Sequence, residues 1–291
     1  DWKIGYSPER INPGDQVHTF TNIRKIVSGM DPESMTEIQK VYNLAVKAGT
    51  HLVSNIKTAE AIKLIENSQR DVNIAFMNEV AKICHQLDID TNEIIEGMKT
   101  KWNALEFQPG LVGGHCIGVD SYYLLELARQ VKCDSSILSH VRQTNESMAN
   151  YVADVAVREM LMAEKDIKKA TVLILGITFK KDCSDIRNSK VVDLIERLKM
   201  YHIEPMISDA YANSDDVQET YGIPLVPFDD LPLADCIIVA VGHHAYKSIT
   251  IDKLLGMFKK ELPNAKKVLI DINGIYNKDD LDASGIHFWQ L

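Results

Sequence analysis

The sequence predicts an α/β protein that ends in a doubly wound parallel sheet, and three observations predict it. From residue 168 to 291, short apolar runs of strand length alternate with amphipathic helical patterns, the signature of successive βαβ units. From 57 to 166 the periodicity is almost entirely helical. In the first 56 residues a single strand–helix–strand unit stands alone and reads as the tail of an α/β domain whose beginning is absent. The expected divisions are therefore 1–56, 57–166 and 167–291. Length alone, 291 residues, suggests about two domains.

In chain order, residues 24–27 and 50–54 read as strands flanking a helix over 32–47. Asp31 is its expected N-cap, Pro32 its first position, and Gly49 follows its end. No Pro or Gly interrupts 57–87, which predicts a helix of about 30 residues and ~45 Å. A helix of that length bridges domains or packs on a partner subunit. Asp90 with Glu93 predicts a capping box for the next short helix. After a glycine-rich break at 109–118, helical patterns resume over 121–131 and 136–165. Strands are then expected at 171–177, 203–208, 236–241 and 267–272, with helices at 191–200 and 251–259.

Composition narrows the function. The formal net charge of −9 argues against nucleic acid as a partner, because phosphate polymers need a Lys/Arg excess. The cysteines are Cys84, Cys116, Cys133, Cys183 and Cys236, an odd set with no CxxC pair. A disulfide scaffold and a structural zinc site are thereby disfavoured, no metal is expected, and reduced thiols in a cytoplasmic protein are the reading. The first residues show no signal-peptide pattern, and no apolar run approaches the ~18 residues of a membrane span.

Three stretches carry chemistry. The densest is 109–120, PGLVGGHCIGVD, with four glycines in nine residues and a thiol, Cys116, four residues before Asp120. Such a loop presses backbone close to something or turns sharply. A cysteine there, just ahead of a helix, is either a nucleophile whose thiolate backbone N–H groups stabilise or a small residue buried in a tight turn. His115 adjoins it, but Cys–His pairs meet through the fold rather than along the chain. The second stretch, 59–67, sets Lys63 and Asn67 on one helix face. They are either donors to a developing oxyanion or a solvated face salt-bridged to Glu60 and Glu66. The third, 176–189, follows a strand and precedes a helix, where open α/β sheets bind ligands; Lys180 and Arg187 can meet phosphates there. No GxGxxG fingerprint occurs.

These stretches, with SPERINPGD at 7–15, KLIENSQRDVNIAFMNE on the long helix and GLVGGHCIGVD, are collinear and cover essentially the whole chain. In that order they resemble the nucleotide-sugar 6-dehydrogenase family, which includes the UDP-glucose and GDP-mannose dehydrogenases, and within it the UDP-N-acetylhexosamine 6-dehydrogenases of polysaccharide synthesis. The resemblance implies the remnant of an N-terminal Rossmann domain, a central long-helix dimerisation domain and a C-terminal Rossmann-like UDP-sugar-binding domain. It implies oxidation of a C6 alcohol to a carboxylate with two NAD+. Cys116 would attack the aldehyde, and the thiohemiacetal would become a thioester that water hydrolyses. Lys63 and Asn67 would stabilise the oxyanion, Asp120 would help deprotonate the nucleophile or water, and Glu9 would position or activate water. Arg10, Gly113 and Lys180 would meet the UDP-sugar, Arg187 the NAD pyrophosphate, and the long helix would form a homodimer core.

The sequence departs from the pattern in four places. The GxGxxG domain, roughly the family's first third, is absent, so the chain reads as a fragment or part of a longer enzyme without most of its NAD site. Pro13 stands where UDP-glucose enzymes carry a second glutamate, which disfavours plain UDP-glucose. Asn273 stands where the late strand usually ends in Lys or Arg, and Ser121 replaces a Pro after Asp120. The competing readings are a UDP-glucose 6-dehydrogenase, an inactive UDP-sugar-binding dimerisation fragment, and a Cys-dependent hydrolase.

Overall fold

A computed structural model describes residues 2–11 and 17–291. The chain folds as two compact units, one drawn from Asp1–Arg70 and Asp120–Ser135, the other from Asp71–Val119 and Ser136–Leu291.

In the first unit, β1 (Gly5–Tyr6) pairs antiparallel with β2 (Lys25–Gly29), which pairs parallel with β3 (Thr50–Leu52). Strand β2 runs two residues past its expected end because β1 supplies partners for Ser28 and Gly29. Helix α1 (Pro32–Ala45) starts where expected: the Asp31 carboxylate accepts from Ser34 N, and the Ser34 hydroxyl accepts from Asp31 N. It ends two residues early, at an extended Val46 buried to 2%. Helix α2 (Ile56–Gln86) is uninterrupted over 31 residues, about 46 Å at ~1.5 Å per residue, with Ile56–Arg70 in this unit. Helix α4 (Ile117–Gln130) contributes residues 120–130.

The second unit holds the rest of α2, then α3 (Thr91–Lys99), whose N-cap Asp90 accepts from Asn92 N and Glu93 N. That is the half of the expected capping box formed among the described residues. Helix α4 (Ile117–Gln130) begins four residues before the expected 121. Gly118 lies in the first turn of that helix. The single helix expected over 136–165 is two, α5 (Ser136–Glu146) and α6 (Met148–Met162). They break at Ser147, whose hydroxyl donates to Thr144 O and takes a bond from Lys82 Nζ, competing with the backbone ladder.

Five parallel strands follow: β4 (Val172–Leu175), β5 (Met206–Ser208), β6 (Cys236–Val239), β7 (Val268–Asp271) and β8 (His287–Gln290), in the spatial order β5-β4-β6-β7-β8. β4 to β7 are each shorter than the expected run, and β8 was not expected. Successive residues point to opposite faces. Val172, Ile174, Cys236 and Ile238 pack with α6 and α7 (Lys190–Met200). Leu173, Leu175, Ile237 and Val239 pack with Tyr246, Leu254 and Phe258. On that second side lie α9 (His244–Lys247) and α10 (Ile251–Gly256), after α8 (Ser214–Tyr221) and before α11 (Lys278–Ser284). The closing strand β8 brings Trp289 and Leu291 into the core, and His85 meets it: Nδ1 lies 2.9 Å from Tyr151 Oη and Nε2 3.2 Å from the Gln290 carbonyl.

Candidate active site

In the first unit, the loop after β1 presents Glu9 and Arg10. Glu9 Oε1 accepts from Arg10 N at 2.6 Å and Ile11 N at 2.7 Å, and Oε2 faces Lys25 Nζ at 3.4 Å. Partial burial pulls this carboxyl upward, but the two backbone donors and Lys25 outweigh it and hold it below the usual glutamate range. Lys25, 1% exposed although it sits in a strand, also donates to Pro8 O at 3.0 Å and so fixes the loop. Arg10 pairs with Glu66 of α2. Pro13 lies outside the described residues.

Next to Glu66 on α2, the buried Asn67 donates through Nδ2 to Oδ2 of the buried Asp120 at 2.6 Å, joining α2 to α4. Lys63, half-buried and one turn before Asn67, has no ion-pair partner among the described residues. The solvated-face alternative needed it paired to Glu60 or Glu66, whereas Glu66 is taken by Arg10 and Arg70.

In the second unit, the glycine loop runs to Cys116, whose thiol is exposed immediately before α4; Asp120 is the fourth residue of that helix. The buried-cysteine alternative is thereby excluded for Cys116. Two glycines are required by the geometry. A Cβ on Gly113 would lie 2.7 Å from Asn188 O, and one on Gly114, at φ +84°, would lie 2.6 Å from the Phe179 ring. Gly114 N donates to Asn188 O at 3.2 Å.

Strand order reverses between β4 and β6, and open sheets bind ligands outside the carboxyl ends of strands at such a switch point. A small open cleft lies there, lined by Lys180, Lys181, Lys190, Val241 and Asn273, with Leu111 and Gly113 of the glycine loop in its wall. Gly113 and Lys180 thus share one cleft. Asn273 donates to Ala240 O at 3.0 Å and presents a neutral amide where a cation was the expected pattern. Beneath the cleft, Asp209 accepts from Ile177 N (2.6 Å), Thr178 N (3.2 Å), Tyr211 N (2.7 Å) and Ala212 N (2.8 Å). His243, fully buried, accepts at Nδ1 from Asp182 N, which leaves the proton on Nε2 to face Asp209 at 3.2 Å. Burial works against the Asp209 charge, yet His243 and the backbone donors bring the carboxyl down to about 2.

Residues 57–147 match the central domain of the UDP-glucose/GDP-mannose dehydrogenase family, and 173–278 match its UDP binding domain. Protein CapL of Staphylococcus aureus is 45% identical over the whole of this chain and 67% of its own length. The chain belongs to the UDP-glucose/GDP-mannose dehydrogenase family. The UDP-N-acetyl-D-glucosamine 6-dehydrogenase of Pseudomonas aeruginosa is 41% identical over 97% of the chain and 66% of its own length. The solved UDP-D-ManNAc dehydrogenase of Pyrococcus horikoshii superposes with a TM-score of 0.85 at 27% identity, over 99% of this chain and 64% of that one. The chain therefore spans about two thirds of the length of the relatives it matches.

Dehydrogenases of this family use NAD, and the described residues fit it only at one point. The helix that follows a strand in the first unit, α1, has its N-terminus occupied by the Asp31 carboxylate, so that strand–helix unit is no pyrophosphate cradle. Arg187 is exposed and held in a two-pronged pair by Asp185, at 2.9 and 2.7 Å, which any incoming anion would have to displace. Among the described residues no group of three His, Cys, Asp or Glu side chains is placed to hold a metal, and no helix is long and apolar enough to cross a membrane. Sequence reasoning missed Lys25, Asp209 and His243. It also missed Asp71 and Asn78, which the rule that linked Lys63 to Asn67 reaches if extended by four and then seven residues along α2.

Proposed function

We propose that the full-length protein is an NAD-dependent UDP-N-acetylhexosamine 6-dehydrogenase of polysaccharide synthesis, acting in the cytoplasm. The observation that carries the reading is Cys116: an exposed thiol at the head of a helix, on a loop that also walls a lysine-lined cleft in a UDP binding domain. The cleft lysines hold the diphosphate, with Lys180 and Gly113 against the UDP-sugar and Arg10 on the sugar side. The Cys116 thiolate adds to the C6 aldehyde carbon, giving a thiohemiacetal whose oxyanion Lys63 and Asn67 stabilise. After its oxidation to the thioester, water attacks the acyl carbon, and the acid and the free thiol are released. Asp120 takes the proton from thiol or water. Glu9, tied down by its own loop and held ionised, positions that water. Arg187 would hold the pyrophosphate of NAD+, which would supply the hydride acceptor for the two oxidations.

The same reading makes the protein a homodimer through α2. Ile65, Phe76 and Ile83 are 56%, 60% and 52% exposed, and their spacing of eleven and seven residues puts them within about 20° of one line at ~100° per residue. The test is product analysis with full-length protein. UDP-N-acetylglucosamine should yield about two NADH per uronate, and Cys116→Ser should stop acid formation. An undiminished uronate yield from that variant refutes the reading, and a preference for UDP-glucose replaces the substrate class.

A further inference from the structure

We infer that Asn78, fully buried on α2, is a positioning residue for the Cys116 loop, acting through the backbone of Gly110. The inference rests on the reading of Cys116 as the nucleophile. The loop before Cys116 has no strand or helix to satisfy its backbone, so its position depends on side chains that reach it. Asn78 grips Gly110 at both polar atoms: Oδ1 accepts from Gly110 N at 2.7 Å, and Nδ2 donates to Gly110 O at 3.1 Å. The same Nδ2 donates to Asn145 Oδ1 at 2.8 Å. Asn145 donates on to Asp71 Oδ1 at 2.7 Å, Asp71 pairs with Arg142 at 2.7 Å, Arg142 with Glu146, and Glu146 with Lys190 of the cleft.

Asn78, Asn145, Asp71 and Arg142 are at most 2% exposed, so this chain is rigid and costly to break. At the loop's other end Asn188, a non-glycine residue at φ +53°, takes Gly114 N on its carbonyl and reaches Gly114 O with Nδ2 at 3.5 Å. A left-handed asparagine two residues from Lys190 closes the ring: the loop is clamped at both ends, and the two clamps join through five buried or half-buried side chains. Cys116 lies two residues beyond the second clamp, where a small loop shift re-aims its thiol.

The test measures Cys116 itself, without nucleotide. Iodoacetamide alkylation of the chain is followed against pH at single-cysteine resolution, with exposed Cys133 as the internal control, alongside hydrogen exchange of amides 110–118. Asn78→Ala should speed exchange across the loop by tenfold or more and move the pH midpoint of Cys116 alkylation, leaving that of Cys133 where it was. Asn78→Asp, which keeps the acceptor for Gly110 N but loses the donor to Gly110 O and Asn145 Oδ1, decides the matter if Asn78→Ala does not fold. A folded variant whose loop exchange and Cys116 midpoint match the parent overturns the inference. Because no turnover is measured, this outcome is independent of the uronate assay: failure there removes the dehydrogenase reading, failure here removes only the clamp.

Discussion

Asp209→Asn separates a structural anion from its pH dependence. The carboxylate sits below the cleft with no side-chain exposure and takes four backbone N–H donors and His243. It titrates at about 2 in the folded chain against 3.8 as a free side chain. At ~1.4 kcal/mol per decade this is worth about 2 kcal/mol of stability at neutral pH. The sign follows from the direction. A depressed folded-state value means the stabilisation is complete above about pH 4 and is lost as pH falls through 4 toward 2. Urea unfolding of parent and Asp209→Asn at steps from pH 7 to pH 2, followed by the sheet's circular dichroism, should show the gap between them narrowing by about 2 kcal/mol over that window. The amide also turns an NH₂ toward donors, so the gap at pH 7 should be at least that large. A gap that stays constant with pH refutes the argument, because Asp209 would then contribute through shape alone.

Three further outcomes follow from the geometry. Asn67→Ala leaves the buried Asp120 carboxylate short of its 2.6 Å donor and should cost about 1–3 kcal/mol in urea unfolding, with no loss if the pair is idle. Arg142→Met strands buried Asp71 and should cost about 3 kcal/mol or more, whereas the double replacement of both partners by apolar residues should recover much of it. In native protein, Cys116 and Cys133 should react with a disulfide reagent well before Cys84 and Cys236, both buried, with burial pushing the Cys236 thiol up; peptide mapping that finds Cys236 labelled early contradicts the packing.

What could be read from sequence was what local rules determine. Helix α2 was expected at 57–87 and lies at Ile56–Gln86, because no breaker interrupts it. The Asp31 and Asp90 caps formed because capping needs only the next three residues. Elements set by distant partners were not legible. His287–Gln290 is a strand because β7 is beside it, and nothing in its four residues signals this. Residues 136–165 show one helical pattern, and at the break the Ser147 hydroxyl is engaged by Lys82, sixty-five positions away. The candidate site divides the same way. Cys116 and Asp120 stand out in a glycine-rich stretch. Lys25 looks like a misplaced charge in an apolar strand until its ammonium is seen to hold the loop of Glu9.

The late arrival of β8 has a consequence for how the protein is made. Synthesis runs from the N-terminus, and domains ordinarily condense as they emerge. Here the second unit condenses late: Gln290, whose carbonyl His85 engages, follows His85 by 205 positions, and Trp289 and Leu291 enter the core beside it. Until then the flanks of β7 and α6 that they cover stay open while α2 and the strands before β8 are already out. A sheet paired only through long crossovers adds to that delay, since distant segments must meet before any pairing is rewarded. During translation the long apolar intermediate is the vulnerable species, and its yield should respond to chaperone supply and translation speed more than its finished stability would suggest.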